Sequence, residues 1–313
     1  MPFLRLLLMS CVLPATAAWL GAADVAPTQS ADDASAAPAA STPAAPDATQ
    51  AAAIGQATAR LKELVARQDA LLAALGKGNA DQDNIKRDIQ TLIFDYDGFL
   101  RAHPAFAPGY VTYGLLLGKV GMRRESSVIL LKANQLDPDL PIVKNQLGNY
   151  LAEEGEPVEA ANYFIAAIRL APEEPLYHFQ LGTLLAEARD DFLKSGQWTR
   201  AQLDKAMQEA FKHAAELAPD NFAFAYRYAE SFYDLAEPDW DGALKVWGAL
   251  EEHLKPGLEQ ETVRLHAANI LMKQGKFDHA RALLATVTAE FEPNAEVVVP
   301  ACKVPALTVV APV

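Results

Sequence analysis

The chain contains 313 residues, of which 51% are hydrophobic, and carries a formal net charge of −13. This length and composition provide enough apolar side chains for a large buried core. The acidic balance, which no run of Lys or Arg offsets, argues against a protein that binds nucleic acid or anionic lipid surfaces.

The first 23 residues have the pattern of an export signal. Arg5 is the only charged residue before Asp24, and residues 6–20 are mostly apolar. Small residues before Asp24 are typical of a cleavage site. The apolar run is short and contains a proline, which disfavours a membrane-spanning anchor. We predict a signal peptide over residues 1–23 and an exported protein that is periplasmic or associated with the cell envelope.

Cys11 supports a different interpretation of the same segment. The run from Leu8 to Cys11 resembles a lipoprotein box, which would place a lipid on Cys11 and attach the protein to a membrane. Methionine is unusual just before the small residue of such a box, so we prefer removal of the segment. The other cysteine, Cys302, lies near the C-terminus, and one cysteine in the mature chain permits no internal disulfide.

Residues 24–53 consist mainly of Ala, Pro, Ser, Thr and Asp. They contain almost no large apolar side chain whose burial would offset the entropic cost of ordering the chain. We predict a disordered linker over this range.

Two amphipathic helices are predicted over residues 54–106. The first carries leucines at three- and four-residue spacing, namely Leu61, Leu64, Leu71 and Leu75, and Gln68 interrupts this apolar seam. The second ends before Pro104, and the two form an N-terminal hairpin, which we interpret as a divergent repeat. The seam also fits a coiled coil that would join two or three chains, although about two heptads are few for that structure.

Small residues and prolines then recur at an interval of 34 residues. The recurring positions are Gly114, Gly148 and Gly182; Gly121 and Gly155; Ala133 and Ala167; and Pro138 and Pro172. Gly148 and Ala160 allow two helices to approach to about 8–10 Å. Gly155 allows the chain to reverse between them, and Pro172 ends the second helix near Leu170.

A 34-residue period carried by two helices resembles the tetratricopeptide repeat. The resemblance implies an all-α fold, a right-handed superhelical solenoid of antiparallel helix pairs. We assign repeats to residues 107–140, 141–174, 175–221, 222–257 and 258–293, followed by an extended Val/Pro tail over 294–313. The third repeat holds 13 extra residues around Arg189–Gln202. We predict that they add about two turns to each of its helices. The tail either covers the last helix pair or is a disordered end.

The first helices of tetratricopeptide repeats line a concave groove that holds a peptide or a partner's helix. The resemblance therefore implies groove positions, which include Asn145, Asn149, Glu153, Phe179, Thr183, Glu187, Tyr226, Glu230, Tyr233 and Asp234. The residues by which some members clamp a C-terminal carboxylate are missing, since Val111 and Leu115 stand in their places. We predict that the Asn side chains bind a peptide backbone and that the aromatic residues anchor the ligand.

No catalytic or cofactor motif is recognisable in the sequence. The six histidines are scattered singly, and the HExxH, CxxC and GxSxG patterns are absent. We predict no enzyme activity, no cofactor and no metal, and a protein or peptide partner in the cell envelope. The alternatives are a homo-oligomeric structural protein assembled through the Leu61–Leu75 helix, and an accessory subunit of an envelope enzyme or secretion complex.

Overall fold

A computed structural model of the protein describes residues 48–76 and 82–287, and all the regular secondary structure in these ranges is helical. The predicted all-α fold is confirmed. The signal peptide, Cys11, most of the linker, Cys302 and the Val/Pro tail lie outside the described residues. None of the helices within these ranges is both long and apolar enough to cross a membrane.

The described helices are α1 (Ala48–Gly76), α2 (Gln82–Ala102), α3 (Ala107–Lys119), α4 (Arg123–Leu136), α5 (Pro141–Glu153), α6 (Pro157–Leu170), α7 (Pro175–Glu187), α8 (Arg189–Lys194), α9 (Arg200–Leu217), α10 (Phe222–Glu230), α11 (Trp240–Glu252), α12 (Leu258–Lys273) and α13 (Phe277–Leu284). A 3-10 turn over Ser231–Asp234 follows α10. The described residues form two compact units, one of residues 48–112 and one of residues 113–287.

In the first unit, α1 packs on α2. Three leucines of the predicted seam, Leu61, Leu64 and Leu71, are buried within the chain, whereas Leu75 is 40% exposed. Gln68, which interrupts the seam in the sequence, is buried and accepts a 2.9 Å hydrogen bond from the hydroxyl of Tyr96. The polar residue therefore matches a polar group on the facing helix. Helix α1 begins at Ala48 rather than at Ile54, because the alanine-rich end of the predicted linker favours helix.

Close contact between a glycine and a large side chain is found in three helix pairs of the second unit. A Cβ atom added to Gly148 would lie 2.9 Å from the ring of Phe164. A Cβ atom added to Gly114 would lie 2.7 Å from the Leu130 side chain, and one added to Gly182 would lie 2.8 Å from the Phe211 ring. The predicted close approach at Gly148 is confirmed, and its partner is the Phe164 ring. Ala160 is also buried in this pair.

The ends of the helices follow the predicted glycine and proline positions. Gly121 and Gly155 have φ values of +85° and +84°, in the left-handed region where a side chain would be strained. Helices α4 and α6 end at Leu136 and Leu170, two residues before Pro138 and Pro172. These turns and helix ends are confirmed, because they depend on local backbone sterics.

The extra residues of the third repeat are arranged differently from the prediction of two added turns on each helix. Helix α7 ends at Glu187 without extension, a separate six-residue helix α8 follows, and α9 has 18 residues where α6 has 14. Phe192 of α8 is fully buried in one core cluster with Phe211 and contacts the Trp198 ring at 6.0 Å. Burial of Phe192 explains why the chain changes direction after α7.

Contacts of α9 attach the fourth repeat to the third. The guanidinium group of Arg200 donates to the carbonyl of Asp234 at 2.6 Å. The carboxylate of Asp204 accepts a 2.8 Å hydrogen bond from the backbone N–H of Ala236. These bonds hold the segment after α10, which carries two of the predicted groove residues, Tyr233 and Asp234.

The glycine contact generates a stability prediction. We expect Gly148→Ala to destabilise the protein, because its methyl group would lie 2.9–3.2 Å from three atoms of the Phe164 ring. The steric cost of such overpacking is about 1–3 kcal/mol. It exceeds the roughly 1 kcal/mol that alanine contributes through helix propensity. Urea denaturation followed by circular dichroism measures the effect.

Gly248 of α11 supplies the matched control, since nothing lies within 4 Å of a Cβ atom added there. Gly248→Ala should stabilise the protein by roughly 0.5–1 kcal/mol through helix propensity alone. A Gly148→Ala protein as stable as the wild type would contradict the packing account.

Candidate partner-binding groove

The predicted groove residues form three lines along the first helices of consecutive repeats. Each line has a spacing of four residues: Asn145, Asn149 and Glu153; Phe179, Thr183 and Glu187; Tyr226, Glu230 and Asp234. Residues at this spacing share one face of an α-helix, which applies to all of these except Asp234, since α10 ends at Glu230 and Asp234 lies in the 3-10 turn that follows. The Phe179 ring of α7 lies 4.7 Å from the Phe224 ring of α10, so neighbouring first helices contact one another here. We call these nine residues, with Tyr233, the candidate groove.

The asparagines of α5 differ in exposure. Asn145 is 1% exposed, whereas Asn149 is half-buried. Within the described ranges, neither Oδ1 atom receives a hydrogen bond. Glu153, at the end of the same line, forms an ion pair with Arg123. A ligand can therefore contact the exposed part of Asn149, but it reaches the buried Oδ1 atoms of Asn149 and Asn145 only if neighbouring groups move. A binding role for both asparagines stays a prediction.

Phe179 and Thr183 of α7 are half-buried. The Phe179 ring lies 5.7 Å from that of Phe211 in addition to its contact with Phe224. The hydroxyl of Thr183 donates to the Phe179 carbonyl at 2.9 Å. Phe179 is therefore held rigidly between aromatic neighbours, and part of it stays accessible.

The tyrosines of the fourth repeat contact the fifth repeat. Tyr226 is only 6% exposed, and its hydroxyl lies 2.8 Å from Nε2 of His266. Tyr233 is half-buried and donates to the His266 carbonyl at 3.3 Å. Burial raises the pKa of each tyrosine to about 12. Both hydroxyls are thus occupied within the chain. An anchoring role for either tyrosine stays a prediction.

His266 of α12 organises this cluster. Its ring stacks on that of Trp247 with centroids 4.4 Å apart, and Nδ1 lies 3.4 Å from the Tyr233 hydroxyl. All the contacts are satisfied if Tyr226 donates to Nε2 and a proton on Nδ1 is donated to Tyr233. Burial lowers the pKa of His266, which favours this neutral form. Sequence reasoning missed His266, although it stands at the ninth position of the fifth repeat, a groove position in the repeats before it.

Arg227 is the principal cation of the candidate groove. Its guanidinium group lies 2.8 Å from Asp234 and 3.6 Å from Glu230, and it covers the Phe211 ring at 4.4 Å. Burial raises the pKa of Glu230, and Arg227 opposes this effect. Sequence reasoning did not single out Arg227, because its position is not one of those that line the groove in tetratricopeptide repeats.

The described residues offer no group suited to a metal ion, since no three His, Cys, Asp or Glu side chains come together there. The rings of His178 and His213, which are far apart in the sequence, lie 5.5 Å from one another.

The polar groups of the candidate groove are amides, hydroxyls and carboxylates. Such groups bind peptides by hydrogen bonds and ion pairs.

Comparison with known proteins identifies similar structures but no sequence relative. No protein-family model matches the sequence, and no curated protein matches it. YrrB, a TPR protein with an unusual peptide-binding site, is 19% identical over 61% of this chain and 89% of its own, with a TM-score of 0.50. PilF of Pseudomonas aeruginosa is 17% identical over 72% of this chain and 90% of its own, with a TM-score of 0.48. MamA is 16% identical over 68% of this chain and 96% of its own, with a TM-score of 0.43.

The buried histidine generates a prediction about pH. Burial lowers the pKa of His266 in the folded state below its ordinary value of 6.5. The neutral His266 ring therefore contributes fully to the stability of the protein above pH 6.5, and this contribution is lost as the pH falls through the lowered pKa. Between pH 7.5 and 5.5, the wild type should therefore lose more stability than His266→Gln. Urea denaturation at both pH values provides the measurement.

His279→Gln is the control, since His279 is exposed on α13. It should show the same pH dependence as the wild type. An equal loss of stability in His266→Gln and the wild type would exclude His266 as the titrating group.

Proposed function

From the tetratricopeptide repeat fold of this chain, we propose that the protein is a non-catalytic scaffold whose candidate groove binds a peptide or helix of another protein. One observation carries the proposal. Apart from Asp234 in the 3-10 turn, the three lines of groove residues lie on consecutive first helices, and they include the half-buried Asn149, whose side-chain oxygen is buried without a donor within the described ranges.

The accessible groups suit an extended or helical protein segment. An asparagine amide both donates and accepts hydrogen bonds, so Asn149 matches a peptide backbone without requiring a particular sequence. Phe179 is immobilised by Phe211 and Phe224, so a ligand that packs on it orders no additional side chain. Rigid aromatic residues of this kind often contribute most of the binding energy of an interface.

The proposal includes a cellular location. The predicted signal peptide over residues 1–23 supports export, and the partner would then be a periplasmic or envelope protein. We expect the mature protein to begin near Asp24 and to be released with the periplasmic fraction. Cell fractionation and mass spectrometry of the intact protein test this. Recovery with membranes and a lipid mass on Cys11 would favour the lipoprotein interpretation, and a full-length cytoplasmic chain would contradict export.

Peptide binding tests the function itself. Peptides selected on the whole protein from a random phage-displayed library would be labelled with fluorescein, and their affinities measured by fluorescence anisotropy. We expect Asn149→Ala to weaken binding about three- to tenfold, which corresponds to one lost hydrogen bond.

Asn134→Ala is the matched control. Asn134 is half-buried, its Oδ1 also lacks a donor among the described residues, and it lies on the second helix α4. Its substitution should leave peptide affinity unchanged. If no selected peptide responds to Asn149→Ala while the variant stays folded, or if both variants respond equally, the groove is not the binding site.

A further inference from the structure

Each of the three groove lines ends in a carboxylate. Helix α5 ends at Glu153, α7 ends at Glu187, and the line of α10 runs through Glu230 to Asp234. We call these four residues the carboxylate edge. The C-terminus of a helix carries a partial negative charge, so carboxylates placed there add to a negative potential that is already present. An edge of this kind is electrostatically unfavourable unless cations neutralise it.

The chain neutralises this edge only in part. Two arginines form its salt bridges within the described ranges, Arg123 with Glu153 and Arg227 with Glu230 and Asp234. Glu187 forms none in that part of the chain. Although Glu187 lies at the exposed end of α7, burial of part of its carboxyl raises the carboxyl pKa and the charge of Arg227 opposes this effect, as burial and Arg227 also do for Glu230. These carboxylates have lost part of their hydration without gaining full charge compensation.

A second, independent feature also requires hydrogen-bond donors. Asn145 and Gln180 are 1% and 7% exposed, and their side-chain oxygens receive no hydrogen bond within the described residues. The Oδ1 atom of Asn149 likewise receives no hydrogen bond in that part of the chain. Asn145 and Asn149 belong to the line that ends at Glu153, so unpaired acceptors lead directly to the carboxylate edge. A buried acceptor without a donor costs free energy that a donor from a ligand would recover.

Carboxylates stand at the ends of the first helices only in the central repeats. At the equivalent turn of the first repeat stand Lys119 and Arg123, and at that of the fifth stand Lys273 and Lys276. The carboxylate edge therefore has basic residues at both ends. This distribution favours a short basic segment and disfavours a uniformly basic surface, because the ends would repel the latter.

We propose that the occupant of the candidate groove is a protein segment rich in Lys or Arg, whose side chains bind the carboxylate edge. The inference rests on the function proposed above and specifies the partner. Ammonium and guanidinium groups have only hydrogen-bond donors, which match the carboxylates directly, and the unpaired oxygen of Asn149 once the groups that bury it move aside. The cations of the segment would replace the hydration that these carboxylates have lost.

A pair of charge-neutralising variants tests the proposal on the full chain. The probe is a fluorescein-labelled 20-residue Ala/Lys peptide, compared with an Ala/Glu peptide of the same length. We expect Glu187→Gln combined with Glu230→Gln to weaken binding of the Lys peptide about tenfold or more. Neutralising partly desolvated carboxylates should not unfold the protein, and circular dichroism verifies this.

Glu209→Gln combined with Glu216→Gln provides the control. Both residues are exposed on α9, outside the groove, and this pair removes the same net charge. It should change the affinity by less than about twofold, since exposed charges are screened.

The outcomes separate the two proposals. Equal weakening by both pairs, no binding of the Lys peptide, or tighter binding of the Glu peptide would overturn the basic-segment inference. If library-selected peptides still respond to Asn149→Ala in those cases, the peptide-binding function stands. If Asn149→Ala weakens the binding of no peptide, both proposals are wrong.

Discussion

The contact between a glycine of one helix and a large side chain of the next is the constraint on which the repeat unit depends. The rings of Phe164 and Phe211 lie directly on the backbone of Gly148 and Gly182. Any side chain on these glycines would separate the helices. The contact therefore determines how closely a first helix approaches its second, and with it which face of the first helix remains available to a ligand.

The same contact explains how the repeats vary without losing their packing. Phe164 follows Gly148 by 16 residues, and Phe211 follows Gly182 by 29, which is 16 plus the 13 inserted residues. The insertion is accommodated in α8, in the turn after it and in a longer α9, while the ring stays on its glycine. In the fourth repeat the buried pair is Ala229 and Trp247. Insertions are tolerated wherever they leave this contact in place.

The candidate groove carries contacts between repeats in addition to the partner binding that we propose for it. Tyr226 and Tyr233 use their hydroxyls to bind His266 and so hold the fourth and fifth repeats together. The Asn149 side-chain oxygen has no donor among the described residues, and Glu187 forms no salt bridge there, whereas Glu153, Glu230 and Asp234 pair with arginines. The partner binding that we propose would use the central repeats, where Asn149 and Glu187 lie.

The sequence by itself determined the helical repeat, its turns and its helix ends, because Gly155 and Pro172 act through the sterics of their own backbone. The groove positions came from the resemblance to tetratricopeptide repeats, and their binding role stays a prediction. Only the tertiary structure decided which of those side chains are accessible. Asn145 and Tyr226 are buried by neighbouring elements, and Tyr226 meets His266 across 40 residues of sequence. Burial depends on such distant contacts, which helix periodicity does not encode.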